Sequence, residues 1–279
     1  MVDKVGQSQP ATEYKLEPSA EGFSATNAHY FARLSIVAYE TEDIAKSELF
    51  DKLGYTDVFW LKSEDNNTQG YVAAQASHVA VVFRGTDQGA DWWINLDILY
   101  KETKHGVVHK GFHTALNSLW GDRKGFEGIL GTVRSLGASN PDRPIFLSGH
   151  SLGGALASIA AAQLELDVPD VSVAGVYTIG SPRVFSREYA TVYDKALRAR
   201  TFRAVNNNDL VARVPPILKH VGTEIYIDPR GNIGPRSWFD FFAGYWQSIM
   251  GGSITNGFDD HESELYEAAF LAAISAPVS

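Results

Sequence analysis

Pro144-Ile145-Phe146-Leu147-Ser148-Gly149-His150-Ser151-Leu152-Gly153-Gly154-Ala155-Leu156-Ala157 is the stretch from which the rest of the chain can be read. It opens on a short apolar run and closes on an Ala-rich segment that reaches about Leu164, with Gly149-His150-Ser151-Leu152-Gly153 between them. A strand that runs into a small-residue helix through G-x-S-x-G is the nucleophile elbow. The glycines have a steric reason. A serine on a sharp strand-to-helix turn draws its neighbours' backbones together, and only residues without a Cβ fit beside it. The turn also aims the positive end of the new helix at the place where an oxyanion would develop. A plain Gly-rich turn satisfies the same five residues, so the flanking strand and helix carry the reading. Ser151 is expected to be an activated nucleophile.

Outward from this turn, the chain alternates. On the N-terminal side, residues 1–22 form a polar, partly loose lead-in. A helix is expected from Ser24, a suitable N-cap, with apolar and small residues at helical spacing through Tyr39. Asp57–Leu61, Tyr71–Gln75 and Val79–Phe83 are β-rich, the last two forming a hairpin about Ser77-His78. Phe112 to Leu136 reads as mainly helical, interrupted by glycines. On the C-terminal side, strands are expected at Val171–Ile179, Arg200–Val205 and Glu224–Ile227, with helices at Ser186–Leu197 and Ser263–Ile274. Strands alternating with helices imply an α/β protein whose largely parallel sheet is covered on both faces.

Bulk properties narrow the function classes. No composition break, low-complexity tract or repeat divides the 279 residues, so residues 1–279 are expected to form one domain. The content of 44% hydrophobic and 20% charged residues suits a buried core. A net charge of -9 without Lys/Arg clusters argues against nucleic acid. With no cysteine there is no disulfide, thiolate metal site or cysteine nucleophile. The first residues hold Asp3, Lys4, Gln7 and Glu13 and no apolar core, so no secretory signal is visible. That fits a cytoplasmic protein, or one exported without a signal of the usual kind. No run approaches the roughly 18 apolar residues of a transmembrane helix. No Asp/His cluster has ligand spacing, so neither metal nor organic cofactor is expected.

A serine nucleophile needs a base, and the base an orienting carboxylate. Behind an elbow of this kind the chain order is Ser, then Asp or Glu, then His. Of the eight histidines only His220 and His261 follow a suitable acid. His220 lies just before the Glu224–Ile227 strand, where a structural role is expected. His261 lies in the polar loop Gly257-Phe258-Asp259-Asp260-His261 before the final helix and is the expected base. Among Asp167, Asp170, Asp194, Asp209 and Asp228, Asp209 follows a strand's carboxyl end through Asn206-Asn207-Asn208, the edge where ligands gather in open α/β sheets. Asp167 and Asp170 fall at the opposite edge and Asp194 inside a helix. Asp259 and Asp260 are too near His261 in sequence, and solvated-loop or helix-capping roles suit them better.

Linked motifs then carry a resemblance. Val82-Phe83-Arg84-Gly85-Thr86, Val108-His109-Lys110-Gly111-Phe112, the Ser151 elbow, Ile179-Gly180-Ser181-Pro182-Arg183, Asn208-Asp209 with Val214-Pro215, and His220-Val221-Gly222-Thr223-Glu224 resemble, in order and spacing, the class 3 lipases. The likeness spans residues 24–275 and implies the α/β-hydrolase fold. It implies Ser151, Asp209 and His261 as a catalytic triad, in agreement with the chain-order reading. It further implies an oxyanion hole from the Thr86 and Leu152 backbone N–H groups, helped by the Thr86 hydroxyl. Residues 88–97, with Trp92, Trp93, Ile94 and Leu96, would be an amphipathic lid; the plainer alternative is a surface helix packed on the core. The chain departs from secreted fungal members in lacking cysteines and a visible signal, and in an aromatic insert, Trp238–Trp246. The insert suits either a core-packing helix or an acyl-binding wall.

The resemblance implies a lipase cleaving acylglycerol esters through an acyl-enzyme, with a lipid or ester substrate and transient contact with a lipid surface. Phospholipase A1 or feruloyl-esterase activity on the same fold is the alternative. A lipid-binding relative without catalysis would be expected to have lost Ser151, Asp209 or His261, and all three are present.

Overall fold

The computed structural model describes residues 14–86, 99–122, 127–234 and 260–275. In chain order the elements are α1 (Ala25–Val37), α2 (Glu42–Ser47), β1 (Asp57–Lys62), β2 (Gln69–Gln75), β3 (His78–Phe83), β4 (Tyr100–Thr103) and β5 (Gly106–His109). There follow α3 (Lys110–Trp120), α4 (Ile129–Ser139), β6 (Ile145–His150), α5 (Leu152–Asp167), β7 (Val173–Ile179) and α6 (Arg187–Leu197). The last are β8 (Thr201–Asn206), β9 (Thr223–Ile227), β10 (Ile233–Gly234) and α7 (Ser263–Ser275).

Eight strands form one sheet in the order β1-β2-β3-β6-β7-β8-β9-β10. β3 and β6 to β9 run parallel; β1, β2 and β10 pair antiparallel at the edges. Alternation of side chains along each strand sorts the core into two layers. Val79, Val81, Phe83, Ile145 and Leu147 face one layer, against α3, α4, α5 and α6. Ala80, Val82 and Phe146 face the other, against α1 and α7. Every residue of β3, β6 and β8 is buried, which explains the apolar runs Val79–Phe83 and Ile145–Leu147 in the first two. Each fully buried Val, Leu or Phe contributes about 1.5–3 kcal/mol, so these two layers hold the site's strands in register.

Local signals set the helix ends. The Ser24 hydroxyl accepts from the Asn27 N–H at 3.2 Å and caps α1, as expected. Ser186 caps α6 through the Tyr189 N–H at 3.3 Å. The helix after the elbow begins at Leu152, three residues earlier than its Ala-rich composition suggests, because Ser151 itself is the residue from which the helix departs. The long helical stretch before the elbow is two helices, α3 and α4. The β4–β5 hairpin and α2 were not anticipated. Part of the lead-in is docked: Tyr14 stacks on His29 at 4.9 Å and donates to Glu267 at 2.9 Å.

No helix among the described residues is long and apolar enough to cross a membrane. The expected lid with Trp92, Trp93, Ile94 and Leu96, and the aromatic insert Trp238–Trp246, lie outside the described residues.

Candidate active site

Because β3, β6, β7 and β8 are parallel, their carboxyl ends share one edge, and each is followed there by a residue of interest. Thr86 follows β3, Ser151 follows β6, Gly180 follows β7 and Asp209 follows β8. Ser151 is held at φ 58° and ψ -127°, a backbone region that L-residues occupy only under constraint. Its N–H donates to the Ile179 carbonyl at 2.8 Å, and its carbonyl accepts from Gly154 at 2.9 Å. The steric argument for the glycines holds: a Cβ on Gly149 would collide with the Gly153 backbone, and one on Gly153 with the Phe83 carbonyl. The Ser151 side chain is buried, and its hydroxyl makes no hydrogen bond to a described residue. In substrate-free enzymes the hydrogen bonds of catalysis are often long and tighten only with substrate bound.

Asp209 is fully buried, and its carboxylate is saturated. One oxygen accepts from the Val211 and Ala212 N–H groups, at 2.8 and 3.4 Å. The other accepts from the Tyr266 hydroxyl at 2.6 Å and from His261 Nδ1 at 2.9 Å. A carboxylate only accepts, so the His261 proton stands on Nδ1, and the neutral ring keeps its lone pair on Nε2. Burial, then the charge and hydrogen bond of Asp209, keep the Tyr266 phenol protonated far above its ordinary range. Tyr266 therefore stays a donor to Asp209 while also accepting the Asn206 N–H at 2.9 Å.

His261 is brought to this edge by the loop before α7. That loop is tied down by Asp260, which the sequence assigned to a solvated or capping role. Its carboxylate instead accepts from Asn207 Nδ2 at 3.0 Å and the Asn208 N–H at 3.3 Å, while its carbonyl accepts from Asn206 Nδ2 at 3.0 Å. The asparagine run that leads to Asp209 thus anchors the loop of His261 as well. Asp259 lies outside the described residues. Gly180, at φ 56°, passes so close that a Cβ there would press on Asp209 and the His261 ring.

The remaining acids and histidine have structural partners. His220 Nε2 donates to the Ala212 carbonyl at 2.6 Å. Asp167 pairs with Lys104 and His105, Asp170 with Arg134, and Asp194 with Arg198 and the Gly222 N–H. Asp228 closes its own turn onto Arg230 and Asn232.

Thr86 and His261 line a common cleft of about 490 Å³, with His150 and Tyr39 in its wall. Exposed Glu40, Glu262 and Glu264 stand at its rim, and none makes a salt bridge to a described residue. Leu152 opens α5, so its N–H belongs to the first-turn donors without an intrahelical acceptor. The sequence did not single out Tyr39, Tyr266 or Gly180, nor a role for the His150 side chain. Only His150 and Gly180 lie inside motifs that could have drawn attention to them.

A strained serine between strand and helix, with an Asp–His pair beyond it at the carboxyl edge of a mostly parallel sheet, defines the α/β-hydrolase class. Residues 80–219, half of the chain, match the family Lipase (class 3), and the chain belongs to that family. It is 31% identical over 163 residues to secreted mono- and diacylglycerol lipase 1 of Fusarium solani, covering 57% of this chain and 47% of that protein. It is 26% identical over 234 residues to phospholipase A1-II 3 of Oryza sativa subsp. japonica, covering 68% and 54%. The chain thus spans about half the length of these curated relatives. Among solved structures, the Rhizomucor miehei triacylglyceride lipase superposes with a TM-score of 0.65 at 23% identity, covering 73% of this chain and 80% of that one. Lipase II from Rhizopus niveus gives 0.60 at 22%, covering 74% and 82%. At such identities these likenesses establish the fold.

Proposed function

We propose that the chain is a serine carboxylic-ester hydrolase, a lipase acting on acylglycerols, folded as one domain. The observation that carries the reading is the 2.9 Å Asp209–His261 pair, at the same sheet edge as a serine held at φ 58°. Ser151 Oγ attacks the acyl carbonyl and gives its proton to His261 Nε2, while Asp209 holds the ring's tautomer and balances the imidazolium. The oxyanion is met by the backbone N–H groups of Thr86 and Leu152. His261 returns the proton to the departing alcohol, leaving an acyl-enzyme. Water, deprotonated by His261, then releases the carboxylic acid and restores Ser151.

The carboxylates of Glu40, Glu262 and Glu264 at the rim favour neutral esters over lipids with an anionic headgroup, since like charges in a partly desolvated cleft repel. This supports acylglycerols over anionic phospholipids, although the rice relative bears a phospholipase name. Residues 88–97 are read as a lid, and its apolar side chains as the point of transient contact with a lipid surface.

The test is a panel of p-nitrophenyl esters of rising chain length, diacylglycerol and phosphatidylglycerol, with a serine-reactive phosphonate as control. Cleavage of the neutral esters is expected, with phosphatidylglycerol a poor substrate. Ser151→Ala and His261→Ala should each lower kcat by several orders of magnitude. His220→Ala should cost activity only through stability. Loss of turnover in His220→Ala but not in His261→Ala would move the base to His220.

A further inference from the structure

The ester-cleavage scheme makes no use of the His150 side chain, although it stands in the middle of the elbow. The ring is buried and both nitrogens are engaged. Nε2 lies 2.6 Å from the His261 carbonyl oxygen, and Nδ1 lies 2.8 Å from the Tyr39 hydroxyl. A carbonyl only accepts, so His150 carries its proton on Nε2; Nδ1 is then a lone pair, and the Tyr39 hydroxyl donates to it. The His150 and His261 rings are 4.5 Å apart, inclined by 33°. Tyr39 is covered in turn by the Arg84 guanidinium, 5.7 Å from its ring centre. Its hydroxyl and the His150 carbonyl also abut Gly85, the residue before Thr86, so tightly that a Cβ there would collide with both. One tyrosine–histidine pair therefore touches the elbow, the loop of the base and the end of the strand that leads to Thr86.

We propose that Tyr39 and His150 are positioning residues for ester cleavage, a neutral brace that holds the backbone of His261 against the elbow while Asp209 holds its ring. The inference rests on the assignment of Ser151, Asp209 and His261 made above. Two anchors, one on the carbonyl and one on Nδ1, leave the base little room to drift. A displacement of about 1 Å between reacting groups is worth roughly a hundredfold in rate.

The brace depends on protonation state. Once charged, His150 has no lone pair for Tyr39 and sets a second cation against the His261 imidazolium. Burial, and then the neighbouring His261, hold His150 well below its ordinary range, opposed by its hydrogen bond to the His261 carbonyl. The other groups around it are Tyr39 and Arg84 on one side, Tyr266 and Asp209 behind His261, and the rim carboxylates Glu40, Glu262 and Glu264.

The experiment measures kcat and KM of the full chain on p-nitrophenyl butyrate from pH 5 to 9, with Ser151→Ala alongside. His150→Ala is expected to lower kcat about a hundredfold with KM within about threefold. His150→Gln, whose amide N–H can reach the same carbonyl without titrating, should recover kcat to within about fivefold of wild type. Tyr39→Phe removes a single hydroxyl. It should lower kcat several-fold and move the acid limb of kcat/KM toward neutral pH, because His150 Nδ1 then stands open to a proton. Wild-type kcat and an unmoved acid limb in Tyr39→Phe would overturn the brace, as would a His150→Gln enzyme no better than His150→Ala. Should His150→Ala fail to fold, Tyr39→Phe alone decides. An active Ser151→Ala enzyme would overturn the site assignment and the brace with it, whereas an inactive one leaves the two questions separate.

Discussion

The strain at Ser151 makes a prediction that separates stability from activity. At φ 58° and ψ -127° an L-side chain costs about 1–3 kcal/mol, and only glycine escapes that cost. Ser151→Gly and Ser151→Ala should be equally inactive, yet the glycine variant should be the more stable. Glycine's greater freedom in the unfolded chain returns roughly 0.5–1 kcal/mol, so the net difference should be near 1 kcal/mol in urea unfolding. Equal midpoints for the two variants would mean that the elbow is not strained. The proposed triad of Ser151, Asp209 and His261 could be picked out of the sequence because each lies in or beside a short motif whose chain order is itself chemical information. Tyr39, Tyr266 and Asp260 could not. They act across separations of 111, 57 and 53 residues, on His150, Asp209 and Asn207, and no local pattern marks a side chain whose partner lies so far away in the chain.

At the scale of elements, legibility followed burial. β3, β6 and β7, closed in by helices on both faces, stood out as apolar runs; β3 and β7 fell within two residues of expectation, while β6 runs three residues past Leu147 into the elbow motif. The β4–β5 hairpin escaped notice because Tyr100, Lys101 and Glu102 are exposed and give no alternation to read. α2, with Ala45 as its only buried residue, escaped for the same reason. The proposed lid, residues 88–97, is the element whose behaviour is most open to measurement. Holding Trp92, Trp93, Ile94 and Leu96 out of water is worth about 25 cal/mol per Å² of apolar surface, so a lid of this composition should close in solution and open on lipid. Trp92→Ala and Trp93→Ala should therefore lower turnover of an emulsified long-chain ester more than that of a soluble short-chain one. A rate ratio unchanged in both variants would make the segment an ordinary surface helix.

Across the whole molecule, acid sensitivity follows from a histidine far from the site. His78 is fully buried, its Nε2 shared by the hydroxyls of Tyr55 at 2.9 Å and Tyr30 at 3.3 Å. Burial, and then Arg143, lower its pKa to about 4. Its unfolded value is near 6.5, so the unfolded chain takes up the proton first as the pH falls. The stabilisation is complete above pH 6.5, is lost progressively down to about pH 4, and amounts to roughly 3 kcal/mol. His78→Gln should flatten that part of the urea-midpoint curve; a variant falling as steeply as wild type would place the acid sensitivity elsewhere. At the other end of the fold, α7 packs beside α1 on one sheet face, with Glu267 reaching Tyr14 at 2.9 Å and Arg33 at 4.0 Å. That docking has a consequence in time. A ribosome that has delivered residues through β10 has made every strand of the sheet, the serine and its elbow. Asp209, however, still lacks two of its four donors among the described residues, and the proposed base His261 has not yet emerged. On the proposed function, the nascent chain at that stage is a sheet without chemistry, and ester cleavage would begin only when His261 and the 13-residue helix behind it are seated.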